Sequence, residues 1–261
     1  PTYDGFVSDI KKIAELVHEA GKILIVDEAH GAHFGLDDRL PESSVMCGAD
    51  LVIQSLHKTL PSLTQTALLH VNGSFVDRDK LRLFLTIYQS SSPSYLLMGA
   101  MDQCVHNLQK NSRELFDHLF NLRELFDQKV KKLRWLHVVS REDCYKAGMK
   151  ACDPGKILVS SRNTLLSGYA LQEILLQKYH LQLEMAGNDY ILAIITVMDT
   201  EQGINRFAQA LCEIEQMFTE NTEVILEQKA VEDLFTAAME ERSLLLPEMT
   251  IKQAIEAPSE Q

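Results

Sequence analysis

The sequence lacks the features that would mark a membrane protein, a disulfide-linked secreted protein or a zinc domain. Charged residues interrupt every hydrophobic run before it reaches the length of a membrane span. The five cysteines form no C-x-x-C pair and follow no zinc-binding spacing. The N-terminal residues PTYDGFVSDIKK have neither the basic start nor the apolar centre of a signal peptide. These absences predict a cytoplasmic protein with reduced thiols and no membrane partner.

Positive charge is also scarce. The chain has 25 Lys and Arg against 37 Asp and Glu, which gives a formal net charge of -12. A surface that follows nucleic-acid phosphates would have to form against this average field, so we expect no nucleic-acid partner. The 261 residues are 46% hydrophobic, which is enough for a sizeable core in one large or two modest domains.

Helical and extended patterns alternate in the first third of the chain. Apolar residues recur at helical spacing over residues 9–20, and Gly21 provides a stop. The segments KILIVDEAH, LVIQS and TALLHVNG have the composition of strands, and SSVMCGAD is predicted to be a short helix. This alternation predicts an α/β fold with a mainly parallel sheet.

The rest of the chain divides into three predicted regions. A helical pattern rich in Leu and Phe predicts a long connecting helix within residues 93–132. Strand and helix patterns then predict a smaller α+β domain over 133–220. The segment 221–261 starts helical, ends polar and is predicted to begin a further C-terminal region.

The stretch ILIVDEAHGAHFG predicts a buried strand that delivers polar side chains at its carboxyl end, where open α/β sheets place their sites. Three chemistries use such a layout. The letters DEAH occur in helicases, where they serve nucleotide hydrolysis. His30 and His33 could bind a transition metal with Asp27. Alternatively, Asp27 is a single carboxylate that faces a cationic ring nitrogen of a cofactor.

A lysine follows the next predicted strand, in LVIQSLHKTLPSLTQTA. Taken alone, Lys58 could be a solvated loop residue. Together with Asp27 it fits the two ends of pyridoxal phosphate, which binds covalently to a lysine and needs a carboxylate opposite its pyridine nitrogen. Ser55 and His57 can donate hydrogen bonds to the phosphate. Ala29 lies on the same side of the strand as Asp27 and leaves room for a flat ring.

The motifs PTYDG, DEAHGAHFG and QSLHKTLPSLTQTALLHV resemble the Orn/Lys/Arg decarboxylases, and in particular their shorter bacterial group. These are pyridoxal-phosphate enzymes of aspartate-aminotransferase fold type I. The segment SGYALQEILLQKYHLQLEMAGNDYILAIITVMDT resembles the small domain of that family. The resemblance implies that residues 1–92 are the C-terminal part of the cofactor-binding large domain, followed by the smaller α+β domain.

The resemblance also implies roles for individual residues. Lys58 would be the Schiff-base lysine, and Asp27 would pair with the pyridinium nitrogen. Ala29 would pack on the ring, Ser55 and His57 would bind the phosphate, and His30 would lie beside the ring and the substrate carboxylate. The helicase alternative lacks a G-x-x-x-x-G-K-[ST] loop, and the metal alternative lacks a third spaced ligand, so we expect no metal.

The function implied is decarboxylation of arginine, lysine or ornithine to an amine of polyamine biosynthesis, by a homodimer or larger even-numbered assembly. An aminotransferase, another fold type I enzyme or a non-catalytic relative remains an alternative. Two further candidates stay open. Glu184 is either the small-domain glutamate of the family or a solvated acid, and Cys144 with Cys152 is either a redox pair or two free thiols.

The resemblance further implies that the chain is an interior fragment. It begins at Pro1 inside the matching cofactor domain, and TIKQAIEAPSEQ ends it in a polar stretch. We therefore expect that residues 1–261 do not catalyse alone, because groups that orient the cofactor would be missing.

Overall fold

The computed structural model describes the backbone of residues 1–220 and the side chains of residues 1–217. The prediction for 221–261 lies outside the described residues. The first half of the chain contains, in order, β1 (Phe6–Val7), α1 (Ile10–Glu19), β2 (Ile25–Asp27), β3 (Leu51–Ser55), α2 (Leu56–Thr59), β4 (Ala67–Val71), α3 (Arg78–Tyr88) and α4 (Tyr95–Val130). The second half contains β5 (His137–Val138), α5 (Arg141–Lys146), β6 (Ala151–Cys152), β7 (Lys156–Ser160), α6 (Gly168–Tyr179), β8 (Met185–Ala186), β9 (Tyr190–Ile194) and α7 (Glu201–Glu220).

The first sheet is mixed rather than mainly parallel. Its order is β2-β3-β4, with β2 and β3 parallel and β3 and β4 antiparallel. The prediction of a mainly parallel sheet is therefore wrong for the part of the chain that the structure describes. The connection over residues 56–66 explains the difference: it contains one short helix and returns the chain directly beside β3, whereas a parallel neighbour needs a longer crossover.

Two other local predictions need correction. Residues 44–48, within the predicted short helix SSVMCGAD, form a turn, and Gly48 adopts a positive φ of 93°. Such a backbone conformation suits glycine and interrupts a helix. Conversely, the structure contains a helix, α3, that the sequence did not predict. It begins at N-cap Asp77, whose side chain accepts from two backbone N–H groups, and none of its residues is buried within the described chain.

The long helix was predicted correctly and lies at the centre of the main core. α4 spans 36 residues and lies within the predicted range of 93–132. From Phe116 onwards its buried side chains recur every three or four positions, which places them on one face. They include Phe116, Leu119, Leu122 and Phe126. This face packs against α7, where the rings of Phe126 and Phe207 stack with centroids 5.3 Å apart. Among the described helices, none is both long and apolar enough to cross a membrane.

The second sheet has four antiparallel strands in the order β5-β7-β9-β8. Its central strands supply fully buried side chains, among them Ile157, Ile191 and Leu192, and α6 adds Leu171 and Leu175. This is the α+β composition predicted for residues 133–220. The boundaries proposed between the domains stay predictions.

A small two-stranded sheet links the beginning of the chain to its second half. β1 pairs antiparallel with β6, with Phe6 opposite Cys152 and Val7 opposite Ala151. The backbone N–H of Asp153 also donates to the carbonyl of Gly5, at 2.9 Å. The N-terminal residues are therefore held beside the start of β7, although α1 follows them directly in the sequence.

We expect Phe126→Ala to lower the free energy of unfolding of the complete protein by about 3–5 kcal/mol, because it leaves a cavity beneath a fully buried, stacked ring. Urea denaturation measures the change. Leu165→Ala is the matched control, since that side chain is 51% exposed, and its effect should stay within about 0.5 kcal/mol. Equal effects of the two substitutions would contradict this account of the core.

Candidate active site

The predicted site residues meet at the carboxyl ends of two neighbouring parallel strands. β2 ends at Asp27, which lies opposite Ile53 on β3. β3 ends two residues later, at Ser55, and α2 follows at once with His57 and Lys58. Because parallel strands end at the same edge of a sheet, this register brings the acid and the lysine to one side of the fold.

Lys58 contacts a histidine from the loop that follows β2. Its amine nitrogen lies 3.2 Å from Nε2 of His30. The other ring nitrogen of His30, Nδ1, lies 3.0 Å from the amine nitrogen of Lys156, the first residue of β7. His30 is only 9% exposed. One imidazole therefore joins the two amines and joins the first sheet to the second.

The surroundings keep His30 uncharged. Burial is the largest cause that lowers its pKa, and the charges of Lys156 and Lys58 lower it further. Glu184 and Asp27 oppose this effect, and the pKa falls to about 4. At neutral pH the ring therefore has one N–H and one lone pair.

Asp27 and Ala29 share the exposed face of their strand segment. Oδ1 of Asp27 accepts from the backbone N–H of Ala29, at 2.9 Å. Oδ2 accepts no hydrogen bond from any described residue and can receive a donor. Ala29 is half-buried, and its small side chain leaves the face beside Asp27 open. This arrangement agrees with the placement expected from the alternation of a strand.

Glu28, the other acid of DEAH, points to the opposite side and holds the following loop. It is 1% exposed. Its carboxylate accepts from Ser43 Oγ at 3.1 Å, from Ser44 N at 2.8 Å and Ser44 Oγ at 2.5 Å, and from Gln54 Nε2 at 2.6 Å. Such a network satisfies a buried carboxylate without a ligand. We therefore assign Glu28 a structural role.

His57 is oriented by the backbone of the loop before β4. Its Nδ1 lies 3.0 Å from the carbonyl oxygen of Thr66, so Nδ1 carries the proton and donates it. Nε2 of the neutral ring then has a lone pair and can donate to an anion only when the ring gains a second proton. Two hydroxyls lie close by in the chain. Ser55 makes no capping bond to α2, and buried Oγ1 of Thr59 has no hydrogen-bond partner.

The sequence did not predict the contacts of three side chains in this site. Lys156 was not singled out, Tyr3 was recognised only within the PTYDG motif, and Glu184 was left open. The ring of Tyr3 lies 4.4 Å from that of His30, and its hydroxyl donates to Glu184. The hydrogen bond with Glu184 is the main cause, followed by burial, that raises the pKa of Tyr3 to about 12, so its hydroxyl stays protonated.

The two histidines of H-x-x-H face different partners. His30 faces the amines of Lys58 and Lys156, whereas Nε2 of His33 lies 3.0 Å from Oδ1 of Asp153. Burial alone would raise the pKa of Asp153, but the contacts with His33 and with the N–H of Gly155 lower it overall. No three His, Cys, Asp or Glu side chains within the described part of the chain are grouped as metal ligands.

The sequence left the role of Cys144 and Cys152 open, and the structure brings the two side chains into contact. Cys144 lies in α5 and Cys152 in β6, and both are free thiols. Burial is the largest cause that raises the pKa of Cys144, to about 12, and a hydrogen bond with Cys152 raises it further. Because a thiolate is the reactive form, this environment makes Cys144 a poor nucleophile, which argues against a redox pair.

The sequence matches the family described as Orn/Lys/Arg decarboxylase, major domain, over residues 1–146. The chain belongs to this family. Among curated relatives it is similar to the arginine decarboxylase of Bacillus subtilis, with 31% identity over 232 residues, covering 87% of the chain and 47% of the relative. It is also similar to the arginine decarboxylase of Halalkalibacterium halodurans, with 31% identity over 214 residues, covering 82% of the chain and 44% of the relative. The chain thus spans about half the length of these relatives.

Solved structures share the fold at low sequence identity. A lysine decarboxylase of Francisella novicida superposes with a TM-score of 0.66 at 20% identity, covering 85% of this chain and 36% of that one. An aromatic aminotransferase of Pyrococcus horikoshii superposes with a TM-score of 0.56 at 17% identity, covering 80% of this chain and 55% of that one. These likenesses show that the chain shares its α/β fold with both enzymes. They do not decide the reaction.

The depressed pKa of His30 predicts a loss of stability in mild acid. The unfolded chain has the ordinary histidine pKa of 6.5 and the folded chain one of about 4, so the unfolded state binds more protons between these values. The free energy of unfolding should therefore fall as the pH is lowered from about 6.5 to about 4. Urea denaturation at pH 7 and pH 5 measures this slope.

His30→Gln should remove this part of the slope, whereas His106→Gln, on the exposed side of α4, should keep it. An unchanged slope in His30→Gln would show that another group accounts for the acid sensitivity.

Proposed function

We propose that the complete protein is a pyridoxal-phosphate-dependent decarboxylase that converts arginine, lysine or ornithine to the corresponding amine and carbon dioxide. The observation that carries the proposal is the placement of the Lys58 amine and the Asp27 carboxylate at the ends of parallel neighbours, in a chain of the Orn/Lys/Arg decarboxylase family. Agmatine, cadaverine or putrescine would be the product, each a precursor or member of the polyamines.

The residues of the site fit the cofactor. Lys58 offers an amine for covalent attachment, Ala29 leaves a small open face, and Oδ2 of Asp27 can accept the proton of a pyridine nitrogen. Ser55 can donate to a phosphate, and so can a His57 ring that has a proton on both nitrogens. When bound, pyridoxal phosphate takes up the electron pair left by the departing carboxylate.

The acids and bases of the chain perform the remaining tasks. Asp27 keeps the ring nitrogen protonated through an ion pair, which is stronger where protein excludes water. His30, neutral and held at both nitrogens, offers an oriented imidazole beside Lys58 rather than a second positive charge. Once the substrate amine has displaced Lys58, the free amine of Lys58 can receive and return a proton.

Glu184 supports the preference for a basic substrate. Its carboxylate accepts from Tyr3 and interacts with His30 and Lys156, so it belongs to the same cluster. Because Tyr3 donates to Oε1 of Glu184, the other oxygen, Oε2, can bind the cationic end of arginine, lysine or ornithine. This proposal gives Glu184 a role in the binding of the substrate side chain.

Carbon dioxide release by the complete protein tests the function, with arginine, lysine and ornithine supplied in parallel and pyridoxal phosphate added. We expect release from at least one of them, and Lys58→Ala should abolish it because no other group can replace the covalent lysine. Borohydride treatment should fix the cofactor to the peptide that contains Lys58, and Lys146→Ala, at an exposed lysine of α5, should change neither result.

Transamination with a 2-oxo acid, in place of carbon dioxide release, would favour the aminotransferase alternative. Fixation of the cofactor to Lys156, the second amine of the cluster, would overturn the assignment of Lys58.

We also propose that the protein assembles as a homodimer or larger even-numbered oligomer through α3 and the start of α4. Leu83, Phe84, Ile87 and Tyr88 are all at least 45% exposed, and Tyr95 is 83% exposed. The (i, i+4) pairs Leu83–Ile87 and Phe84–Tyr88 form two adjacent apolar rows on α3. A contiguous apolar surface of this kind is typical of a protein interface, and a second copy of the chain offers the same surface in return.

Ile87→Lys should convert the oligomer to a monomer in sedimentation at micromolar concentration, because it places a charge in the apolar surface. Met46→Lys is the control, since Met46 is 78% exposed in a different region of the fold. A native protein that sediments as an active monomer would contradict the proposal. So would an Ile87→Lys protein that unfolds rather than dissociates, because the surface would then be covered from within the same chain.

A further inference from the structure

Tyr3 lies in a tight turn at the start of the chain. The backbone N–H of Phe6 donates to Oγ1 of Thr2 at 3.0 Å, and the N–H of Gly5 donates to the carbonyl of Thr2 at 3.1 Å. Gly5 has a φ of 93°, and a Cβ atom added there would lie 2.5 Å from Cγ of Lys156. Both observations favour glycine at this point of the turn. The PTYDG motif therefore fixes the backbone of Tyr3 beside the start of β7.

The ring of Tyr3 contacts two side chains of the site. Its centroid lies 4.4 Å from that of His30, and the two rings are inclined by 55°. The amine nitrogen of Lys156 lies 5.7 Å from the centroid of Tyr3, within the range of a cation–π contact. The backbone turn and these two contacts together determine where the Tyr3 hydroxyl can lie.

Glu184 has a fixed backbone and a side chain with few contacts. Its backbone N–H donates to the carbonyl of Leu192 on β9, at 3.1 Å. The residue is exposed, and among the described residues the Tyr3 hydroxyl is the donor to its carboxylate, at Oε1. The side chain of an exposed glutamate can adopt several rotamers. The hydrogen bond from Tyr3 therefore selects one position of the Glu184 carboxylate.

We propose that Tyr3 is a positioning residue that determines the chain-length selectivity of the site, by holding the Glu184 carboxylate in one place relative to Lys58. The proposal rests on the function proposed above, in which Glu184 binds the cationic end of the substrate. Lysine and ornithine differ by one methylene between their two amines, so a carboxylate in a fixed position suits one of them better. A carboxylate that is free to change rotamer would follow either length.

The binding of simple amines to the complete protein with pyridoxal phosphate tests the proposal without turnover. Isothermal titration calorimetry compares cadaverine with pentylamine and putrescine with butylamine, pairs that differ by the second ammonium group. In the native protein we expect the better diamine to bind at least about tenfold more tightly than its monoamine, as a charged hydrogen bond predicts.

Tyr3→Phe removes the hydroxyl and keeps the ring. It should reduce this diamine preference by about fivefold, the effect of one lost hydrogen bond. It should also narrow the ratio of the Kd values of cadaverine and putrescine. Because the side chain is 43% exposed, the substitution should not impair folding. Unchanged values of both quantities in Tyr3→Phe, or no diamine preference in the native protein, would overturn the proposal.

A double-mutant cycle shows whether Tyr3 acts through Glu184. Glu184→Gln should abolish the diamine preference, and Tyr3→Phe should then have no further effect, because the hydroxyl would have no charged group to position. Tyr145→Phe, at an exposed tyrosine of α5, is the matched control and should leave all four affinities unchanged. Additive effects of Tyr3→Phe and Glu184→Gln would show that Tyr3 acts independently and would refute the proposed mechanism.

The amine titrations separate this inference from the proposed function. If the complete protein releases no carbon dioxide but Tyr3→Phe weakens the diamine preference, the decarboxylase proposal fails and the role of Tyr3 stands. If carbon dioxide is released while Tyr3→Phe keeps the native selectivity, the decarboxylase proposal stands and Tyr3 is only structural.

Discussion

The register between β2 and β3 determines where the chemistry of this protein can occur. Because Asp27 lies opposite Ile53, β2 ends two residues before β3 does, and α2 begins where both strands have ended. A shift by one residue would turn Asp27 and Ala29 to the side now occupied by Glu28. The buried network around Glu28 opposes such a shift, since its carboxylate would lose the donors from Ser43, Ser44 and Gln54. The buried acid of DEAH, Glu28, therefore secures the position of Asp27.

Local patterns were sufficient to place Asp27 and Lys58 at the ends of neighbouring strands. A strand followed by an acid, and a second strand followed by a lysine, describe features that lie within a few residues of each other, and the resemblance to a known family supplied their roles. The helical periodicity of α1 and α4 was equally local and was predicted correctly. The direction of β4 was not, because strand periodicity is the same in parallel and antiparallel sheets. The exposed helix α3 was missed because its apolar residues do not face a core within the described chain.

The rest of the site depends on contacts that no local pattern contains. Lys156 follows Asp-Pro-Gly at the start of an ordinary strand, 126 positions after the histidine that it contacts. Tyr3 and Glu184 are 181 positions apart in the chain and meet only in the folded structure. Their electrostatic effects are also collective. The neutral state of His30 arises because burial and the charges of two lysines outweigh the opposing charges of two carboxylates.

Because β1 pairs with β6, the first residues of the chain lie beside its second half rather than beside the helix that follows them. Residues 1–7 precede α1 in sequence, yet their hydrogen bonds attach them to the segment that leads into β7. Consider a polypeptide that is cut between residues 92 and 133, at the boundaries that the sequence suggests. Its C-terminal piece would lose β1, which pairs with the strand of Cys152, and the turn at Gly5, which accommodates the stem of Lys156. The smaller unit is therefore discontinuous, and any attempt to isolate it must carry the first seven residues along.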